Sequence, residues 1–175
     1  LTEVMKHQVV AIYPGRFQPF GKHHLTAYKH LVSKFGAKNV YVATSNVTGD
    51  KSPFNYNEKK KIITGAGVAP KQVVNVKNPY KAEEILSKLP DDTVAVFAVG
   101  EKDGNRLSSG KHFNHYKPGK EMVGYKEGGY IYTLPHVSLK VGGKEMSGTT
   151  IRKALGNKKL STVQRKKLFS DITGI

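Results

Sequence analysis

Between an apolar run, Val9 to Tyr13, and the first helix-like pattern lies the stretch "PGRFQPFGKHH", residues 14–24. Pro14 and Gly15 break the strand. A glycine here lets backbone N–H groups approach a phosphate, and the N-terminus of the helix that follows adds positive partial charge. Arg16 and Lys22 bring full charges to the same place, and His23 and His24 stand beside them as further donors. A glycine and two cations between strand and helix are also what an ordinary turn shows, so the loop takes its meaning from what surrounds it.

The elements that must hold this loop are legible as periodicities. Val9 to Tyr13 reads as a buried strand, and from His23 onward Leu25, Tyr28, Leu31, Val32 and Phe35 recur at helical spacing, with Gly36 as a C-terminal cap. Val40 to Thr44 is a second strand, Asn57 to Thr64 a helix, and Gln72 to Val76 a third strand. Lys81 to Leu89 reads as helix, and Thr93 to Val99 is the most hydrophobic strand of the chain. This alternation predicts an α/β domain: a parallel sheet with right-handed crossovers and helices on both faces, its ligand beyond the carboxyl ends of the strands. Residues 100–129, rich in Gly, Lys, His and Ser, read as a long loop insert. "GYIYTLPHVSLKV" supplies one or two short strands, and residues 146–175 two short helices N-capped by Ser147 or Thr149 and by Ser161.

Composition sets the bounds. The 175 residues fit one domain spanning 1–175, with 38% hydrophobic residues gathered in compact runs. No apolar run approaches membrane-spanning length and "LTEVMKHQVV" lacks the order of a signal peptide, which together predict a cytoplasmic protein without a membrane partner. The absence of cysteine excludes disulfides, thiolate catalysis and cysteine-ligated zinc. The chain opens on Leu1, not Met, as a piece trimmed from something longer would. The formal net charge of +16, from 29 Lys and Arg against 13 Asp and Glu, attracts polyanions, with nucleotide phosphates and nucleic acid as the natural candidates. No apolar stripe is left over to specify an oligomer.

"GRFQPFGKHH" resembles the signature of the HxGH nucleotidyltransferase superfamily (cytidylyltransferase-like), closest in form to the "GRFQPFHxGH" of archaeal-type nicotinamide-mononucleotide adenylyltransferases and phage-encoded relatives. Gly15 to Phe20 match without a gap. "SPFNYNEKKKII", residues 52–63, resembles the family's "NPFTxxERxxMI", with Lys59 where that pattern has arginine. "MSGTTIR", residues 146–152, resembles its "ISSTxxR". The resemblance implies a Rossmann-like, HUP-type nucleotidylyl transferase domain. It implies that Gly15, Arg16, Phe17 and Phe20 line the nucleotide pocket and that His24 takes the place of the second histidine. Ser147, Thr149 and Thr150 would hold phosphate oxygens at a helix N-terminus, and Arg152 the β and γ phosphates. Gly100, Lys102 and Asp103, after the strongest strand, stand where related families bind nucleobase or ribose. Ser45 and Asn46 stand where an acceptor would touch.

The implied reaction is attack by a phosphorylated acceptor on the α-phosphorus of a nucleoside triphosphate, ATP or CTP, with Mg²⁺ on the triphosphate and pyrophosphate as the leaving group. Catalysis of this kind is mostly positioning and charge stabilisation, so His24, Lys22 and Arg152 are the candidate catalytic residues and no protein nucleophile is required. "GRFQPF" points to nicotinamide mononucleotide as acceptor. The chain departs from the pattern at two places, with Gly21 where the family has histidine and His23 where it has glycine. Two readings therefore stand: a working transferase, or a nucleotide-binding module, associated with a phage particle or nucleic acid, that keeps the pocket without turnover. A third makes the chain one end of a bifunctional protein continuing beyond Ile175. His112 and His115 have a metal-binding spacing but no third ligand nearby in sequence, so exposure to solvent is expected and no metal site is assigned.

Overall fold

The computed structural model describes residues 8–119 and 121–175; residues 1–7, read above for a leader, lie outside them. Six parallel strands form one sheet in the order β3-β2-β1-β4-β6-β5. They are β1 (Val9–Pro14), β2 (Val40–Thr44), β3 (Val73–Asn75), β4 (Val94–Val99), β5 (Phe113–His115) and β6 (Gly129–Thr133). All six residues of β4 are buried, as a central parallel strand covered on both faces requires.

Alternate side chains of β1 go to opposite faces. Ala11 and Tyr13 join Ala27, Tyr28 and Leu31 of α1 (Lys22–Phe35) and Ile62 and Ile63 of α2 (Tyr56–Gly65). Val10 and Ile12, with Ala95 and Phe97, pack on the other face against Ile85 and Leu86 of α3 (Glu83–Leu86). The sheet is thus the Rossmann-like, doubly covered α/β arrangement that the alternation predicts. Its order reverses between β1 and β4, which opens a crevice at their carboxyl ends.

The helix ends follow from sequence. α2 starts with a reciprocal pair of bonds: Asn55 Oδ1 accepts from the Glu58 N–H (2.9 Å) and Glu58 Oε1 from the Asn55 N–H (3.1 Å). Gly36 ends α1 at φ 89°, its N–H reaching Val32 O at 2.8 Å. The structure differs from expectation over residues 100–129, which hold α4 (Glu101–Ser108) and β5 as well as loop. α4 lacks an apolar stripe because its buried residue is Gly104, where a Cβ would meet Ile131 Cγ2 at 3.4 Å; backbone, not side chains, makes the contact.

After β6 the chain forms an antiparallel hairpin, β7 (Leu139–Val141) with β8 (Lys144–Met146), then α5 (Gly148–Leu155) and α6 (Thr162–Thr173). Leu139, Ile151 and Ile172 form a small separate core there, while Phe169 packs on the α1 side of the main sheet. Ser147 and Ser161 are the observed N-caps. Among the described residues no helix is long and apolar enough to cross a membrane.

Candidate active site

The β1–α1 loop is held from three sides. The Gly15 N–H donates to Ala43 O at 3.1 Å, and the Thr44 hydroxyl to Arg16 O at 3.4 Å, so β2 fixes the loop's first two residues. The buried Gln18 amide bonds twice to Phe54, donating to its carbonyl (2.9 Å) and accepting from its N–H (2.7 Å). That pair joins "GRFQPF" to "SPF", two motifs far apart in sequence. Beneath them Lys59, 1% exposed, donates to Thr44 Oγ1 (2.8 Å) and Ser45 O (2.6 Å), and burial lowers its pKa to about 8. Phe17 takes a left-handed φ of 48° that turns its ring under Gly15, where a Cβ would come 2.8 Å from Phe17 Cζ. Only glycine fits there.

The two histidines lie in contact at the N-terminus of α1, ring centroids 3.8 Å apart. His24 Nδ1 accepts from the Gly21 N–H at 2.9 Å, which caps the helix and leaves the proton of the neutral ring on Nε2. Burial, and secondarily the neighbouring His23, hold its pKa well below the usual histidine value. His23 is lowered too, by burial. Its Nδ1 is buried without a hydrogen-bond partner among the described residues, a position where a proton would have no acceptor. The uncharged ring with its N–H on Nε2 follows. Gly21 is explained by the same ring: a Cβ there would lie 2.7 Å from His23 Nδ1. The His23 imidazole fills the space into which a side chain at position 21 would grow.

Two clefts open at the carboxyl edge, one on each side of β1. The first, about 800 Å³, is lined by His23, Gly100, Lys102, Asp103, Thr133 and His136 among others. The second, about 1040 Å³, is lined by Gly15, Arg16, Ser45, Lys51, Lys77 and Arg106 among others. Pro14 and Asp103 belong to both, so the clefts meet at the end of β1. Four cations face two carboxylates, Asp50 and Asp103, in the second. Asp103 is itself engaged: Arg106 lies 3.4 Å away, Tyr80 donates to it at 3.3 Å, and the Arg106 guanidinium sits 5.2 Å from the centre of the Tyr80 ring. Burial, then the Asp103 charge, raises the Tyr80 pKa.

The residues named from sequence fall into three groups. Gly15 and Arg16 line the second cleft, Gly100 and Asp103 the first. Phe17 and Phe20, 4% and 0% exposed, lie under the loop with their rings 5.1 and 5.4 Å from His24, so they shape the site from behind. Lys22 is exposed at the start of α1 beside Gly174, whose Cβ, if present, would meet Lys22 Cγ at 3.1 Å. Ser147, Thr149, Thr150 and Arg152 sit on the N-terminal half of α5. Ser147 Oγ accepts from the Thr150 N–H at 3.2 Å, and Arg152 is half-exposed. None of the four lines either cleft. Leu139 pairs with Met146 at the end of the hairpin, two residues along the chain from Val137, which lines the first cleft.

Ser45 is at the second cleft, whereas Asn46 is occupied in accepting from the Tyr56 N–H at 2.9 Å. His112 and His115 are exposed, and no group of three potential metal ligands forms among the described residues. Lys51, Lys77, Tyr80 and Arg106 were not singled out from sequence. They come from the loops after β2 and β3 and from α4, and only the sheet order brings them together. Of the two motif histidines it is His23, given from sequence as a neighbouring donor alone, that lines a cleft, together with His136 from the loop after β6.

No protein-family model and no curated protein matches the chain. Among solved structures, a NadR protein in complex with NR is similar at 16% identity and a TM-score of 0.40, over 73% of this chain and 36% of that one. The chain thus spans little more than a third of that protein's length.

Proposed function

We propose that the chain is a nucleotidyltransferase that moves a nucleoside monophosphate from ATP or CTP to a small phosphorylated acceptor such as nicotinamide mononucleotide. The observation that carries the reading is the pair of uncharged histidines in contact at the N-terminus of α1, of which His23 lines the first of two clefts of substrate size that meet at the end of β1. The motif resemblances at residues 15–20, 52–63 and 146–152 support it.

In this reading the first cleft takes the triphosphate and the second the acceptor, whose phosphate Arg16, Lys51 and Lys77 attract. An acceptor phosphate oxygen forms a bond to the α-phosphorus and the bond from that phosphorus to the β-bridging oxygen breaks. The electron pair leaves with pyrophosphate, so no proton need be removed from the nucleophile. What the site must supply is charge stabilisation and alignment. His23 lines the first cleft and its Nε2–H would give the donor that the family pattern places at position 21, while His24 locks the loop through Gly21. Mg²⁺ would enter on the triphosphate and neutralise part of its charge; Glu101 and Asp103 are the carboxylates of the first cleft that could hold it. Ser147, Thr149 and Arg152 of α5 would close on the outer phosphates.

The second reading, a pocket that binds without turnover, is favoured by one observation: those α5 residues stand outside the lining of both clefts. Product analysis separates the two. ATP or CTP with Mg²⁺ and nicotinamide mononucleotide should yield pyrophosphate and a dinucleotide in equal amounts. Triphosphate binding with neither product, across a panel of phosphorylated acceptors, would establish the second reading.

A further inference from the structure

Positive charge is unevenly spread. The unit after β6, residues 139–175, carries nine of the 29 Lys and Arg and two of the 13 Asp and Glu. Within it, Lys153 to Lys167 holds six cations and no carboxylate. Lys153, Lys158, Lys159, Lys166 and Lys167 are exposed, and among the described residues none of them is ion-paired. Solvated helix faces usually interleave opposite charges; this stretch gathers like charges with no ion-paired carboxylate among the described residues.

The stretch is also held in shape. The α5–α6 turn is closed around Asn157: its carbonyl accepts from Arg165 Nη2 (2.9 Å), Arg165 Nε (3.3 Å) and the Leu160 N–H (3.2 Å), and its side chain from the Lys159 N–H (3.0 Å). Arg165 thus ties the turn carrying Lys158 and Lys159 to the helix carrying Lys166 and Lys167. A backbone already set before an anion arrives lowers the entropic cost of presenting these lysines to it.

We propose that this α5–α6 turn is a binding surface for the phosphate backbone of nucleic acid. It is separate from the clefts, whose linings include none of these residues. The C-terminal end of α6 abuts Lys22, and twelve helical residues place its N-terminal end about 18 Å from there. A membrane surface fits less well, because Val163 is the one large apolar side chain that α5, the turn and α6 expose, whereas an interfacial helix needs a broad apolar face.

The test is binding of the whole chain to a labelled 30-nucleotide single strand and to its duplex, followed by anisotropy across a salt series. Four or five phosphates neutralised predict a slope of log K on log salt near −4 for the duplex, about a 10²-fold loss between 50 and 200 mM. Lys158→Glu/Lys159→Glu/Lys166→Glu/Lys167→Glu should flatten that slope by about three and weaken binding at least ~30-fold. Reversing four exposed lysines elsewhere (Lys29, Lys38, Lys61 and Lys71) should cost only a few-fold. The corresponding four Lys→Gln changes, checked for native circular dichroism, serve if the charge reversals disturb folding. Equal losses in both sets, a slope near zero, or binding to phosphatidylserine vesicles in place of oligonucleotide would each overturn the proposal.

Discussion

Position 21 is decided by the imidazole two residues on. Gly21→Ala would place a methyl 2.7 Å from His23 Nδ1, and such overpacking should lower stability by about 1–3 kcal/mol in urea titration. The same substitution in a His23→Gly background should cost far less, because the clash is gone. A cost independent of residue 23 would mean that position 21 is restricted by backbone alone. His24 gives a second prediction. Unfolded chains take up a proton on this imidazole near pH 6.5, whereas the folded ring resists it to much lower pH. The unfolded state therefore binds more protons below that value, and stability should fall as pH drops through and below about 6.5. His24→Ala should remove much of this slope while costing about 1 kcal/mol at pH 8 through the lost cap on Gly21.

At the scale of elements, Lys59 joins α2 to the end of β2 and through Thr44 to the β1–α1 loop. With its pKa lowered to about 8 by burial, the folded chain releases a proton that the unfolded chain keeps until about pH 10.4. Stability should therefore rise with pH between those values, and Lys59→Met should abolish the rise; thermal unfolding measured from pH 7 to 10 checks it. Four of the six strands were legible as apolar runs because a parallel sheet buried on both faces leaves few polar positions; β6 was the first of the short strands expected after residue 129. α4 and β5 were not legible, since one contacts the sheet through Gly104 and the other spans three residues. The β1–α1 loop and the caps Ser147 and Ser161 were also readable, being local. The second cleft was not: Lys51, Lys77 and Arg106 are neighbours only because β3, β2, β1 and β4 lie side by side. The stand-off of α5 from the clefts depends equally on how the β7–β8 hairpin packs, which no local pattern encodes.

At the scale of the molecule, the two proposals assign the positive charge to two separate places, the clefts and the α5–α6 turn, which share no lining residue. The clefts offer a few cations among polar groups, suited to small phosphorylated molecules, while the α5–α6 turn offers a dense, unpaired group suited to a backbone of many phosphates. Raising salt from 50 to 200 mM should therefore release an oligonucleotide while weakening triphosphate binding only a few-fold, and a saturating oligonucleotide should leave triphosphate affinity unchanged. Competition between the two would place both in one site. The central claim is that His23 supplies the donor missing at position 21, and acceptor-dependent pyrophosphate release by the wild type and His23→Ala tests it most directly. The expected result is turnover in the wild type and a kcat about 10²- to 10³-fold lower in His23→Ala, with the triphosphate KM changed only a few-fold. Wild-type turnover that His23→Ala leaves intact, or no turnover with any triphosphate and acceptor by a fully folded chain, would contradict it.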